Sequence, residues 1–336
     1  MNDLTLLICD REEEYLRLMT EYVLKQQGLC WQVRAYTDPE EMKRREAGRK
    51  EDKGDILLFS ENVLQGQPPM QLAECTVLLV EKGKVIAGDM PGIYKYQGAD
   101  EVLRELLELY AAVSHSAETV LSKGGKSRIL AFYSPVHRCL QTTLALALAS
   151  KLCEKGRTLY LNFEYHGSVA GMLPDDKTRD LADLVYFLNA QGEKFRIRLS
   201  SIVRKYGDLE YVPPMKVGAN LPAVSGEEWL RLLHRLDEEG GYEYLVLDLS
   251  ESVQGLPEFL SQSSKVYTIC KKDRMSEQKL ELYRAQLERK GYGDIWKRTE
   301  KVYLPFIRNL PEGNMEYIKG ELAMFVKELL EEDMKD

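Results

Sequence analysis

Short continuous apolar runs alternate along this chain with longer stretches of helical periodicity. LTLLICD (residues 4–10) reads as a buried strand, and residues 12–26 then place Tyr15, Leu16, Met19, Tyr22 and Val23 on one helical face. WQVRAYTD (31–38) alternates as a half-buried strand. Asp38-Pro39 starts the next helix, with proline in its first turn. DILLFSENV (55–63), TVLLVEKG (76–83) and GIYKYQ (92–97) supply three further strands, and residues 101–112 form an amphipathic helix. Five strands interleaved with helices predict a doubly wound parallel sheet.

Residues 112–127 (AVSHSAETVLSKGGKS) break this pattern with Ser, Lys and Gly-Gly, the composition of a linker. A second series follows. Its strands are RILAFYS (128–134), TLYLNFE (158–164), DLEYVPP (208–214), YEYLVLDLS (242–250), KVYTICK (265–271) and KVYLPF (301–306), with helices in the gaps. A second, mostly parallel sheet with helices on both faces is expected. The predicted division is 1–112, a linker at 113–127, and 128–336. Residues 175–188 carry Leu181, Leu184, Val185 and Leu188 at helical spacing, a core helix that is also a candidate interface. Residues 320–336 are amphipathic with an acidic polar face. That charge opposes a membrane-surface role, so this helix is expected to pack on its own domain.

Composition narrows the classes. Of 336 residues, 44% are hydrophobic and 30% charged, and the net charge is -8, values of a globular chain with a real core. The acidic balance argues against a duplex-DNA binder, and the mixed charges at 43–53 read as a solvated helix end or loop. The first residues, MNDLTLLICDREEEY, read as neither a leader peptide nor a membrane span, and a cytoplasmic location is expected. Six scattered cysteines read as reduced thiols rather than disulfides or zinc ligands, and the four histidines lack metal-ligand spacing.

Candidate chemistry lies at strand ends. In the first half, Asp10 ends the first strand, followed by Glu12 and Glu13; Ser60 ends the third, with Glu61 next to it, and Tyr94-Lys95-Tyr96 lies in the fifth. One reading makes Asp10 a cap of the first helix. The other is a resemblance to response-regulator receiver domains. That resemblance implies a phosphorylated Asp after the third strand, with Mg²⁺ held by carboxylates. Here the acceptor position is Ser60, which cannot form an acyl phosphate, so a pseudo-receiver used for docking or dimerisation is expected, with Ser60 and Asp10 as its remnant site.

In the second half, the strand–loop–helix ILAFYSPVHRCLQTTLALALAS (129–150) has the frame of a phosphate-binding loop. Such loops aim backbone N–H groups and a helix N-terminus at phosphate. Around Tyr133-Ser134-Pro135 and Thr142-Thr143-Leu144-Ala145 the chain resembles the ParA/MinD group of deviant Walker A ATPases, in particular its CpaE/TadZ branch, which joins a receiver-like domain to such an ATPase domain. The resemblance implies a flavodoxin-like domain followed by a MinD-like P-loop NTPase domain. The family pattern after Ser-Pro is Lys-Gly-Gly-x-Gly-Lys-Thr-Thr. Here Val136 replaces the signature lysine, His137, Arg138 and Leu140 the glycines, and Gln141 the phosphate-binding lysine, while Cys139 fills the variable position. Ser134 to Thr143 is therefore a degenerate nucleotide loop. Arg138, or His137 when protonated, offsets part of the lost charge. If a magnesium nucleotide binds, Thr142 and Asp248 are the expected metal contacts, and Glu164 and Asp248 the expected catalytic carboxylates. A turn in an unrelated α/β domain stays open as the other reading of this stretch.

Losing two lysines removes two charge-assisted contacts, each worth roughly 1.5–3 kcal/mol, and Leu140 at a left-handed position costs roughly 1–2 kcal/mol. The expectation is a non-catalytic localisation or assembly scaffold with no cofactor, ATP or ADP with Mg²⁺ being the doubtful candidate. Its expected partners are proteins: a second copy of itself and, by resemblance, a Flp/Tad pilus secretion or polar assembly, without specific nucleic acid or an integral membrane segment. A working or weak ATPase switch, and a signalling adaptor acting through the receiver-like half, are the alternatives.

Overall fold

A computed structural model describes residues 4–26, 29–49, 54–64, 72–81, 90–113, 127–137, 139–165, 169, 172–174, 179–189, 193–216, 218–307 and 320–333. The chain forms two compact units, Met1–Ser122 with Ala190–Ser201, and Lys123–Asn189 with Ile202–Asp336. Most of the joint predicted at 113–127, as well as Arg138 and residues 175–178, lies outside the described residues.

The first unit runs β1 (Leu4–Cys9), α1 (Glu13–Leu24), β2 (Trp31–Tyr36), α2 (Pro39–Ala47), β3 (Gly54–Ser60), β4 (Ala73–Val80), β5 (Gly92–Tyr94) and α3 (Ala99–Val113). Its sheet is parallel in the order β2-β1-β3-β4-β5, the flavodoxin-like order. Both faces are covered, which is why β1 and β3 are near-continuous apolar runs. Leu6, Ile8, Ile56 and Leu58 pack on one face with residues of α1 and α3. Leu7, Cys9, Leu57 and Phe59 pack on the other with Met42 of α2. Asp38 caps α2 by accepting from the Glu40 N–H, with Pro39 in the first turn, as the sequence predicts.

The second unit is built from β6 (Arg128–Phe132), α4 (Gln141–Leu152), β7 (Thr158–Phe163) and α5 (Leu181–Tyr186). These are followed by α6 (Glu193–Ile202), β8 (Arg204–Tyr206), β9 (Leu209–Val212), α7 (Gly226–Glu239), β10 (Tyr244–Leu249) and α8 (Leu256–Ser261). The chain ends with β11 (Lys265–Cys270), α9 (Arg274–Arg289), α10 (Gly293–Lys297), β12 (Thr299–Tyr303) and α11 (Gly320–Asp333). Most of α6 groups instead with the first unit. There Ile197 joins the core, and Arg198 Nη2 donates to the Ala111 carbonyl at 2.9 Å.

The sheet order is β12-β11-β6-β10-β7-β9-β8, parallel except for the β8–β9 pair. β6 therefore sits between β11 and β10, and its exit loop opens beside the carboxyl ends of β10 and β7. Helix α4 is buried from Thr143 through Ala149 because the sheet covers one side and α11 the other. Leu322, Val326, Leu329 and Leu330 of α11 belong to that core, so the C-terminal helix packs on its own unit. On the opposite face Trp229 of α7 and Phe259 of α8 pack edge-on against Phe163.

Two local features differ from expectation. α5 begins at Leu181, because Asp180 accepts from the Ala182 N–H while Asp183 returns to the Asp180 N–H. This reciprocal cap fixes the start six residues after the predicted one. The short antiparallel β8 has no apolar signal in the sequence. Among the described residues no helix is long and apolar enough to cross a membrane, and the six cysteines are free.

Candidate functional site

Beyond β6 the chain continues alongside β11. The Tyr133 N–H donates to the Tyr267 carbonyl (3.1 Å), Thr268 Oγ1 to the Tyr133 carbonyl (2.9 Å), and Ser134 Oγ to the Ile269 carbonyl (2.6 Å). The chain then turns, and the Val136 N–H donates back to Ser134 Oγ at 3.2 Å. Val136 packs with Cys270, Leu280 and Trp296, and Lys279 Nζ reaches its carbonyl at 3.4 Å. The position of the family's signature lysine is therefore part of an apolar cluster.

His137 (φ 61°) and Leu140 (φ 64°) are the non-glycine residues with left-handed backbone among those described. Both stand where the family pattern has glycine. A side chain in that region costs about 1–2 kcal/mol. Leu140 is 36% exposed, so it gains little burial in return. Leu140→Gly is expected to be neutral or stabilising by up to about 1 kcal/mol in urea denaturation. A loss of stability would mean the side chain holds the loop.

A cavity of about 320 Å³ lies at this loop, near the lower end of the volumes that hold small ligands. Ser134, His137, Cys139 and Leu140 form its loop wall, and Gln141, Thr142 and Thr143 its helix wall. Glu164 and Glu251 face them. Pro135 and Val136 do not line it, and Asp248 lies behind it, fully buried.

Gln141 is turned inward. Its Nε2 donates to Asp248 Oδ1 at 2.6 Å and to the Leu249 carbonyl at 3.0 Å. Asp248 Oδ2 accepts from Tyr160 OH (3.0 Å) and Asn162 Nδ2 (2.9 Å). Burial pushes the Asp248 carboxyl above its usual range, against the opposing pull of Gln141, Thr142, Tyr160 and Asn162. Burial, then the charge of Asp248, push Glu164 up to about 7, with Thr142 pulling it down and Glu251 adding to the rise. His137 Nε2 lies 2.9 Å from Glu251 Oε1.

The raised Glu164 carboxyl sets a pH dependence. Between the usual carboxylate range and about pH 7 the folded chain keeps a proton at Glu164 that the unfolded chain has released. Stability is therefore expected to fall as pH rises through this window and to level off above it. Glu164→Gln should flatten that slope in melts taken across the window. An unchanged slope would place the proton elsewhere.

A magnesium nucleotide fits these residues poorly. Among the described lining residues none is Lys or Arg, while Glu164 and Glu251 bring carboxylates. Both Asp248 oxygens are engaged by protein donors. Among the described residues no group of three or more His, Cys, Asp or Glu side chains is arranged to hold a metal. The sequence reading anticipated the loop, Glu164 and Asp248. It missed Tyr160, which reads as an ordinary core residue of an apolar strand, and Glu251, which carries no local motif.

In the first unit, Asp10 and Lys95 meet. Lys95 Nζ lies 2.7 Å from Asp10 Oδ2 and 2.6 Å from Glu12 Oε1. Asp10 Oδ1 accepts from the Glu12 N–H (2.9 Å) and Asn62 Nδ2 (2.8 Å). Burial raises the Asp10 carboxyl, but Lys95, Asn62 and the Glu12 amide bring it below its usual value. Burial likewise lowers Lys95, yet Asp10 and Glu12 hold it above its usual value. The helix-cap reading of Asp10 is corrected here: Glu12 is the N-cap residue of α1 and makes no side-chain capping bond. Ser60 is fully buried, and its hydroxyl has no hydrogen-bond partner.

No protein-family model matches the chain, and no curated protein matches it. Solved structures do. A plasmid partition protein of Borrelia burgdorferi B31 bound to AMPPNP is 13% identical, with a TM-score of 0.48 over 62% of this chain and 99% of that one. A ParA family ATPase of Chlorobium tepidum TLS is 13% identical, with a TM-score of 0.47 over 60% and 98%. The MinC:MinD cell division complex of Aquifex aeolicus is 12% identical, with a TM-score of 0.41 over 53% of this chain and 68% of that one.

Proposed function

We propose that the chain is a non-catalytic localisation and assembly scaffold, as its resemblance to the CpaE/TadZ branch implies, and that it works without nucleotide. The observation that carries this reading is the Gln141 side chain. It stands at the position of the phosphate-binding lysine, has no charge, and is held by Asp248 and the Leu249 carbonyl. A triphosphate entering the cavity would meet Glu164 and Glu251 in place of charge-assisted contacts worth roughly 1.5–3 kcal/mol each. The three side-chain donors to Asp248, from Gln141, Tyr160 and Asn162, do the structural work that ligand contacts would otherwise do. They tie the start of α4 to β7 and β10 and keep the loop in one shape.

On this reading, partner proteins and a second copy of the chain are the ligands, at a cytoplasmic site such as a pilus secretion or polar assembly. Sedimentation of the full chain with and without Mg²⁺ and ATP tests it. The same self-association is expected in both. Association that requires nucleotide and is lost in Thr142→Ala would contradict it.

One observation favours a second reading, a weak ATPase switch. His137 and Leu140 have the left-handed backbone that a phosphate loop uses, and Glu164, whose carboxyl is raised, lines the same cavity as Thr142. Mg²⁺-dependent phosphate release that disappears in Thr142→Ala would support it over the scaffold reading.

A further inference from the structure

The acidic site of the first unit lies where the sheet order changes direction. Asp10 follows β1, and Ser60 ends the adjacent β3, one row beyond the Cys9–Phe59 pair. Strand β5 ends at Tyr94 and delivers Lys95, whose side chain has no exposed surface. Its ammonium touches carboxylate oxygens of Asp10 and Glu12 at 2.7 and 2.6 Å. The ring centroids of Tyr15 and Tyr96 lie 4.8 and 5.4 Å from the same nitrogen, close enough for cation–π attraction. The other Asp10 oxygen is taken by Asn62 and the Glu12 amide.

The receiver resemblance implies a divalent metal held by carboxylates at this place. The residues here do not fit one. Mg²⁺ requires oxygen ligands at about 2.0–2.1 Å in near-octahedral geometry. At the end of β3 Ser60 offers a buried hydroxyl and the next residue, Glu61, is taken by the Glu81 N–H; Asp10 Oδ1 is bonded by Asn62 and the Glu12 amide, while Oδ2 has no directed hydrogen bond and is held by its ion contact with Lys95. A metal would also have to displace an ammonium that already balances the buried carboxylate.

We propose that the Lys95 ammonium is the resident cation of this site and occupies the place a divalent metal would take. The first unit then keeps one charge state whatever the supply of metal or phosphoryl donor, and offers partners an unvarying surface. Lys95 acts here as a positioning residue, joining the end of β5 to the end of β1 through Asp10, to which Asn62 after β3 is also bonded.

Mn²⁺ binding to the full chain, followed by its paramagnetic resonance, tests this. Asp10→Asn separates binding at this site from binding in the second unit. In the wild type, Asp10→Asn is expected to leave Mn²⁺ binding unchanged. Lys95→Met should bind Mn²⁺ roughly ten-fold tighter or more and lose the gain when Asp10→Asn is added. Lys95→Arg should bind as the wild type does. Wild-type Mn²⁺ binding that Asp10→Asn abolishes would overturn the proposal, as would a folded Lys95→Met variant with no gain. Should Lys95→Met fail to fold without metal, recovery of its folded signal by millimolar Mg²⁺ is the expected result, and no recovery counts against the proposal.

Discussion

Asp248→Ala is expected to destabilise the second unit by about 3 kcal/mol or more, among the largest effects of any single substitution in it. Asp248 is fully buried. Its removal takes the acceptor of Tyr160 OH and one of the two acceptors of Asn162 Nδ2 and of Gln141 Nε2, which keep Tyr160 OH and the Leu249 carbonyl. Tyr160 and Asn162 are almost wholly buried, so water does not readily replace the carboxylate, and each orphaned donor costs about 1–3 kcal/mol. Asp248→Asn keeps the shape but turns amide hydrogens toward other donors, and it should lose a smaller, still clear amount. Urea unfolding followed by the fluorescence of Trp229, which packs on Phe163 at the end of β7, reads the effect. A loss below about 1 kcal/mol would mean that these donors find other partners and that the network does not hold the loop.

Lys95→Ala carries the second large effect. It leaves Asp10 buried and charged with only Asn62 and one amide beside it. Breaking a buried pair in this way typically costs 3–5 kcal/mol, and Trp31 on β2 reports on the unit concerned. The penalty arises from the stranded charge and not from lost packing alone. Adding Asp10→Asn should therefore return part of it, so that the double variant is more stable than the sum of the singles predicts. Strict additivity would contradict the electrostatic account. The two charges hold the ends of β5 and β1 together, and Asn62 links Asp10 to the end of β3.

Much of the fold is legible in the chain because strands covered on both faces must be written as apolar runs. LTLLIC, GDILLFS and YLVLDL announce themselves in this way, and the leucine–alanine alternation of α4 marks a helix buried on all sides. The acidic polar face of residues 320–336 was enough to predict docking on the parent unit. Features set by side-chain hydrogen bonds were harder to read. The start of α5 depends on a reciprocal cap between Asp180 and Asp183, and the grouping of α6 with the first unit depends on packing that no local pattern encodes.

The site shows the same division. Asp248 at the end of an apolar run and Glu164 after β7 could be marked from position alone. The direction of Gln141 could not, because an amide at a lysine position is compatible with facing either phosphate or protein until its partners are known. Tyr160 hides in the alternation of TLYLNF, where only its hydroxyl distinguishes it from core. Lys95 could be placed at the end of the fifth strand. Its bond to Asp10 requires the β2-β1-β3-β4-β5 order that brings distant strand ends together.

On the proposed reading, the loop at 134–143 holds its shape through Gln141 and Asp248 and acts without nucleotide. Calorimetric titration of the purified full chain with ATP and with ADP, each with Mg²⁺, tests it most directly. No binding heat and an unchanged melting temperature are predicted. A dissociation constant at or below the millimolar range of cellular ATP would contradict the account and make the chain a nucleotide-responsive switch.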